Sequence, residues 1–391
     1  MASKDGPRPG RPQKDVAGFP GPMSAAQFLR RHWQKRPLLV RGAFPAFRDP
    51  LGIREVLALA QSPDAESRVV RRAGARWSLE HGPFARAVLE RRPRRDWTVL
   101  VQDTNHFSER AAELLDRFAF VPRARVDDLM VSYAVPGGTV GPHVDSYDVF
   151  LIQGTGRRRW QVSRQKDLGF VPGLDLRILA RFEPEEEWVL EPGDMLYLPP
   201  DVAHYGIAET ECLTWSVGFR APSDQELASG FLDYLGERLD LAGRYADPGL
   251  APTRAPGRIP QEILAHVAGT LGRIRWRPGD ALDFAGRFLS EPKAHVYFTP
   301  PARPLARTRF DAAARRRGLG LDGRARLYYA RGRFFLNGEP VAARGACAAW
   351  LRRLADSRTL ASVAGAPATF LDLAHDWYAR GFLHIAEERK P

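Results

Sequence analysis

Hydrophobic positions change their rhythm twice along the chain. Near the start the spacing is helical. Ser24 stands where a cap belongs, ahead of Phe28, Leu29 and Trp33, and the pattern predicts a helix ended by Arg36-Pro37. Leu38-Leu39-Val40 reads as a short strand, Asp49 to Ala60 as a helix, 95–101 as a strand and 108–119 as a helix. From 125 to 220 the texture becomes β. Short apolar runs at Asp128–Val135, Val149–Gln153, Arg158–Val162, Glu187–Leu190, Met195–Leu198 and Leu213–Phe219 alternate with Gly and Pro turns. That spacing predicts a mainly β barrel or sandwich, because a doubly wound parallel sheet needs long helices for which there is no room.

Past Arg220 the helical rhythm returns. Ser223-Asp-Gln-Glu226 has the form of a capping box before an apolar-periodic run to Leu241. Residues 248–260 are Pro-rich, and helices are expected at 260–276 and 280–290. Pro300-Pro301-Ala-Arg-Pro304 marks a second boundary. Beyond it come a helix, a hairpin (Arg326–Arg331 with Arg333–Leu336) and helices near 344–355 and 369–380, together a winged-helix-like module. The expected organisation is a disordered tail over 1–22, a β-rich catalytic domain over 23–222, a helical region over 223–300 and the winged-helix-like domain over 301–391.

Composition narrows the setting. The 391 residues include 58 Lys and Arg against 46 Asp and Glu, a net charge of +12. Only six of the basic residues are lysine. The arginines run along the whole chain, so an anionic partner and a plain compositional bias explain the charge about equally well. No apolar run is long enough for a membrane helix, and the first twenty residues lack the core of a secretory signal. Cys212 and Cys347 are too few and too far apart for a disulfide framework or a zinc cluster. A cytoplasmic protein is expected.

The chemistry concentrates in Gly141-Pro-His143-Val-Asp145-Ser-Tyr147-Asp148. On an extended segment, His143 and Asp145 project to one side. A third ligand follows the Pro-Gly turn, apolar strand and double proline of Glu191-Pro-Gly-Asp194 to Pro200: His204. Two histidines and one carboxylate cover one face of an octahedral metal and leave three positions open, the arrangement of non-haem Fe(II) oxygenases, whereas structural zinc closes a tetrahedron. The run Asp148 to Val162, with Gly154-Thr-Gly156 inside it, reads as a hairpin. On its second strand Arg158, Trp160 and Val162 share a face. If that face is interior, Arg158 needs an anion such as a dicarboxylate, while Arg157 and Arg159 face out. On Asp128 to Ala134, Asp128, Met130 and Ser132 lie on one side and suit a polar pocket, with Leu129, Val131 and Tyr133 on the other.

Together these motifs resemble the JmjC-type ribosomal oxygenases, most closely their bacterial arginine-hydroxylating members. The resemblance rests on the Arg125–Asp128 strand, Val135-Pro-Gly-Gly138, His143 to Phe150, Gln153 to Trp160, Glu191 to Asp194 with His204, and Ser216-Val-Gly-Phe-Arg-Ala-Pro222. Upstream, His32-Trp-Gln-Lys-Arg-Pro37 and His81-Gly-Pro-Phe84 also match. The likeness covers roughly 25–240, with the last third similar in architecture only. It implies a double-stranded β-helix (the cupin or JmjC barrel), then an all-α dimerisation region and a winged helix. It implies Fe(II) on His143, Asp145 and His204, and 2-oxoglutarate on Arg158 and Ser132, with O2 as second co-substrate. Asp128, Met130, Tyr147 and Ser216 would then line a cleft for the substrate side chain. The implied reaction is hydroxylation of the β-carbon of an arginine in a ribosomal protein, large-subunit protein sixteen, by a homodimer with no acid–base pair beyond the metal site. An acidic group and an aromatic face both suit a guanidinium.

Two other readings stand beside it. A histidine could occupy the same cleft, which would make the chain a ribosomal protein histidine hydroxylase. A ligand-sensing cupin fused to a DNA-binding winged helix would make it a transcription regulator, with Arg315-Arg-Arg317 on phosphates. The intact triad with Arg158 favours the enzyme, so direct nucleic-acid binding and membrane association are not expected. Gly318-Leu-Gly320-Leu-Asp-Gly323 fits a dinucleotide pattern in letters only, since it follows an arginine run and precedes a strand. His81, His106, His266, His295, His375 and His384 have no companions at ligand spacing.

Overall fold

The computed structural model describes residues 19–386, which form two compact units, one ending at Ala221 and one starting at Pro222. The first unit opens with α1 (Ala25–Arg31), capped by Ser24 and Gln27 in a reciprocal box. Its strands are β1 (Leu38–Val40), β2 (Ser67–Ala73), β3 (Arg76–His81), β4 (Trp97–Val101), β5 (Val126–Ala134), β6 (Val149–Gln153), β7 (Arg158–Ser163), β8 (Glu186–Leu190), β9 (Met195–Leu198), β10 (Ala203–Ala208) and β11 (Cys212–Phe219). Eight form one antiparallel sheet in the order β1-β9-β6-β11-β5-β4-β2-β3, and β10-β7-β8 form a smaller one. Helices α2 (Ile53–Leu59), α3 (Arg86–Glu90) and α4 (Glu109–Asp116) complete the unit.

The large sheet divides its side chains by alternation. On its outer face Leu129, Val131, Tyr133, Phe150, Ile152, Tyr197, Trp215 and Val217 are fully buried in a core shared with Phe28, Val56, Ala111 and Phe118. On its inner face Val149, Leu151, Leu196 and Leu198 meet Trp160, Val162 and Leu190 of the small sheet. The inner space between the sheets holds the polar residues discussed below.

Three features depart from the sequence pattern. The segment from Asp148 to Val162 is not a hairpin, because β6 pairs with β9 and β11 while β7 pairs with β8 and β10. Gly154-Thr-Gly156 is instead the corner where the chain leaves one sheet for the other. Asp49 holds it, accepting from Thr155 N (3.0 Å) and Oγ1 (2.5 Å) and from Trp215 Nε1 (2.7 Å). At Gly156 φ is +77° and a Cβ would lie 2.1 Å from the Glu211 carbonyl oxygen, so glycine is required. The β2–β3 hairpin and β10 were not apparent from hydrophobicity. Arg68, Arg71 and Arg72 interrupt β2, and β10 carries a histidine and a glycine among its apolar positions. Within the tail expected over 1–22, Phe19 is buried and stacked on Phe28 at 4.5 Å; residues 1–18 lie outside the described residues.

In the second unit, α5 (Asp224–Gly236) carries the Ser223–Glu226 box. It packs on α7 (Pro278–Ser290) through Phe231, Tyr234 and Phe284. Between them, α6 (Gln261–Leu271) buries no residue. Next come α8 (Arg307–Arg317), β12 (Leu319–Leu321), β13 (Leu327–Ala330), β14 (Arg333–Leu336), β15 (Glu339–Val341), α9 (Gly345–Ser357), β16 (Thr359–Leu360), α10 (Ala368–Ala379) and β17 (Leu383–Ile385). They build two three-stranded sheets, β16-β12-β17 and β13-β14-β15. A core of Phe310, Leu351, Leu354, Phe370 and Trp377 joins the helices. The boundary expected at 300/301 separates elements that pack together. A Cβ on Gly286 of α7 would lie 2.2 Å from the Phe335 ring of β14, and Ser290 Oγ accepts from Gly338 N at 3.0 Å. Nor is the charge spread evenly: residues 301–391 hold 17 basic against 8 acidic side chains, and residues 1–300 hold 41 against 38.

Candidate metal centre

His143 follows the glycine turn at 137–141 and pairs backbone to backbone with His204 at the start of β10, N to O at 3.0 Å and 2.9 Å. This is an isolated extended bridge rather than a full strand, and it suffices to set both rings side by side, their centroids 4.2 Å apart. Asp145 is tied to the same neighbourhood, its carbonyl accepting from Asp201 N at 2.9 Å. One ligand atom from each of His143, Asp145 and His204 falls within 4.8 Å of the others. Each imidazole is oriented by its own backbone. His143 Nδ1 lies 2.9 Å from the Gly141 carbonyl, and His204 Nδ1 lies 2.9 Å from the Val202 carbonyl. A carbonyl only accepts, so both Nδ1 atoms carry a proton, which leaves Nε2 as the ligand atom of each ring. Burial, then the neighbouring His143, hold the His204 imidazole down at about 4 against the opposing pull of Asp145. It is therefore a neutral ligand at physiological pH.

Behind the triad, Asp148 is completely buried. It accepts from Tyr197 Oη at 2.6 Å and Gln34 Nε2 at 3.0 Å and faces Arg125 at 3.6 Å. This carboxylate anchors the end of the ligand loop to α1's C-terminal turn and to β9. Asp194 works similarly in the Pro-Gly turn before β9, accepting from Glu191 N (3.0 Å) and Gly42 N (2.8 Å) and pairing with Arg41 (2.6 Å).

Arg158 lies on the inner face of β7 and is 4% exposed, while Arg157 is exposed and Arg159 pairs with Glu209 at 2.6 Å. Its Nε is shielded from solvent without a hydrogen-bond partner. Its Nη2 reaches the thiol of Cys212 at 3.8 Å, a weak acceptor, and its guanidinium lies 5.8 Å from the Trp160 ring. A cation in this state calls for an anion. Ser132 shares the inner face. Cys212 stands opposite Ala134 and Thr214 opposite Ser132 in the β5–β11 register. Cys212 and Thr214 were not picked out from sequence, although small polar residues two apart on a buried strand were a legible signal.

The remaining group meets across β5 and β11. Met130 pairs with Ser216. The position a Cβ on Gly218 would take lies 3.4 Å from Asp128 Oδ1 and 3.9 Å from the Tyr147 ring, which places both side chains beside this glycine at ordinary contact distance. Asp128 is buried and accepts from Asp103 N at 3.1 Å, whereas Tyr147 is 38% exposed, at the mouth. Burial of its hydroxyl, then Asp145 and Asp128, push the Tyr147 phenol upward, and it stays protonated. The donor chemistry fits Fe(II): two imidazoles and a carboxylate on one side, with the Arg158 guanidinium, its Nε unpartnered, placed for an anionic co-substrate. Among the described residues, His81 and the other histidines join no such group.

Comparison with known proteins agrees. Residues 113–227 match the JmjC domain family and residues 273–384 the ROXA-like winged helix family. The chain is 39% identical to the ribosomal protein uL16 3-hydroxylase of Escherichia coli over 279 residues, 71% of this chain and 74% of that one. It is also similar to the crystal structure of E. coli YcfD (33% identity, TM-score 0.80, covering 94% and 99% of the two chains). A third match is the structure of YcfD, a ribosomal oxygenase from E. coli, in complex with cobalt and 2-oxoglutarate (33%, 0.76, 92% and 97%).

Proposed function

Because the chain belongs to the JmjC ribosomal oxygenases, Fe(II)- and 2-oxoglutarate-dependent hydroxylases with a cupin-type core and a winged helix, we propose that it hydroxylates the β-carbon of an arginine in a ribosomal protein, uL16. The observation that carries the arginine reading is the convergence of Asp128 and Tyr147 around Gly218 at the cleft. A buried carboxylate desolvates little further when it meets a guanidinium, and the aromatic face adds about 0.5–2 kcal/mol.

In this reading His143, Asp145 and His204 hold Fe(II), which when bound supplies O2 activation coupled to oxidative decarboxylation of 2-oxoglutarate to succinate and CO2. Arg158 grips the distal carboxylate of the co-substrate and Ser132 donates to it. Asp128 receives the substrate guanidinium, Tyr147 covers it, and Met130 and Ser216 set the depth to which the side chain enters. The apolar inner residues Leu151, Leu196 and Val162 keep water from the reacting carbon. The protein moves no proton of its own. Incubation with Fe(II), 2-oxoglutarate and ribosomal proteins, followed by peptide mass spectrometry, is expected to show one added oxygen on an arginine of uL16. Oxygen on a histidine instead would overturn the arginine assignment.

We also propose that the enzyme is a homodimer acting in the cytoplasm, where ribosomal proteins are made. The support is α6, whose Leu264, Val267 and Leu271 are 46%, 49% and 61% exposed at helical spacing. No described helix is long and apolar enough to cross a membrane. Sedimentation should give twice the chain mass, and Leu264→Asp with Val267→Asp should give the chain mass.

A further inference from the structure

Arg158 is not the only arginine on the inner face whose Nε is buried without a hydrogen-bond partner. Arg68 of β2 pairs in register with Leu100 of β4, and Leu100 pairs with Ser132 of β5. Residues directly opposite in a sheet project on the same side, so Arg68 shares the face that carries Asp128, Met130 and Ser132. Its neighbour Val69 belongs to the outer core, which confirms the alternation. The Arg68 Nε is shut off from solvent with no hydrogen-bond partner. Among the described residues no carboxylate pairs with it. Its charge reaches the Tyr147 hydroxyl, where it opposes Asp145 and Asp128. An unmet buried donor is costly, and such donors persist where a ligand meets them.

Position and sign narrow the ligand. Two strand spacings put Arg68 about 10 Å from Ser132, on the β2–β3 side of the cleft, whereas Arg158 lies beside Cys212, whose partner across β5 is Ala134. Arg68 cannot face the substrate's guanidinium, which it would repel. It can face the other end of the bound residue, where the polypeptide offers carbonyl oxygens. We infer that Arg68 hydrogen-bonds a main-chain carbonyl of the ribosomal polypeptide beside the oxidised residue, fixing the backbone so that the side chain enters between Asp128 and Tyr147. This rests on the hydroxylase reading above, though not on which residue type is oxidised.

The test is steady-state kinetics of the full chain with Fe(II), varying a uL16-derived peptide and 2-oxoglutarate separately. Arg68→Ala is expected to raise KM for the peptide about tenfold or more while leaving KM for 2-oxoglutarate within twofold. Arg68→Gln keeps a donor without the charge and should recover most of that loss. Thermal melting of each metal-free variant should match the parent, which separates lost binding from lost fold. An unchanged peptide KM, or a rise in KM for 2-oxoglutarate instead, would overturn the assignment. So would recovery by Arg68→Lys but not by Arg68→Gln, which would mean a carboxylate partner. Oxidation of a histidine in the wild-type reaction would revise the substrate residue and leave this comparison intact.

Discussion

Replacing His204 with alanine is expected to reduce succinate formation and peptide hydroxylation by at least about 10³-fold, with loss of bound Fe(II). Among the described residues the proposed site offers three protein ligands, and His204 is the most buried of them. It is 3% exposed, its Nδ1 proton is committed to the Val202 carbonyl, and its backbone is paired with that of His143. Anaerobic Fe(II) titration and succinate release check the result, and normal turnover in iron-reconstituted His204→Ala would remove the metal assignment. The same residue gives a stability signature without metal. In the unfolded chain this imidazole takes its proton near 6.5, but in the folded protein only near 4. The unfolded state therefore binds more protons between those values, and stability is full above 6.5 and falls as the pH drops toward 4. Near pH 4.5 the loss from this group is about 2–3 kcal/mol. His204→Gln should flatten that slope in urea unfolding followed at pH 7 and 4.5.

The second large effect belongs to Arg158, and it separates binding from stability. Arg158→Met should raise KM for 2-oxoglutarate by about 100-fold, because a desolvated guanidinium–carboxylate pair loses roughly 3 kcal/mol when one partner is removed. In the metal-free protein the same change should leave the melting temperature unchanged or raise it. There, among the described residues, the guanidinium has the Cys212 thiol and the Trp160 ring for company and no carboxylate, and replacing a buried cation without an anion by an apolar chain of similar length removes a cost. An unchanged KM, or a large fall in melting temperature, would make Arg158 a structural residue and remove it from the co-substrate site.

The strands that build the barrel were legible because burial on both faces leaves apolar runs such as Val149–Gln153 and Met195–Leu198. The strand β10 was not, although it carries His204, because a histidine and a glycine break its pattern. The Gly154–Gly156 segment shows the limit most plainly. Its letters fit a hairpin turn, and the chain uses them for a corner because β6 and β7 find better partners far away in sequence, a choice no local pattern encodes.

By itself the sequence determined which chemical groups were available and which of them lay two apart on an extended stretch: His143 with Asp145, and, on strands, Arg158 with Trp160 and Asp128 with Met130 and Ser132. Those relations follow from a fixed backbone period of two. Tertiary structure alone decided that His204 meets His143 through a backbone pair, that Asp128 and Tyr147 come together beside Gly218, and that the Nε atoms of Arg158 and Arg68 are buried without a hydrogen-bond partner. Sequence separation carries no distance, and the lack of a partner is a property of everything packed around a side chain.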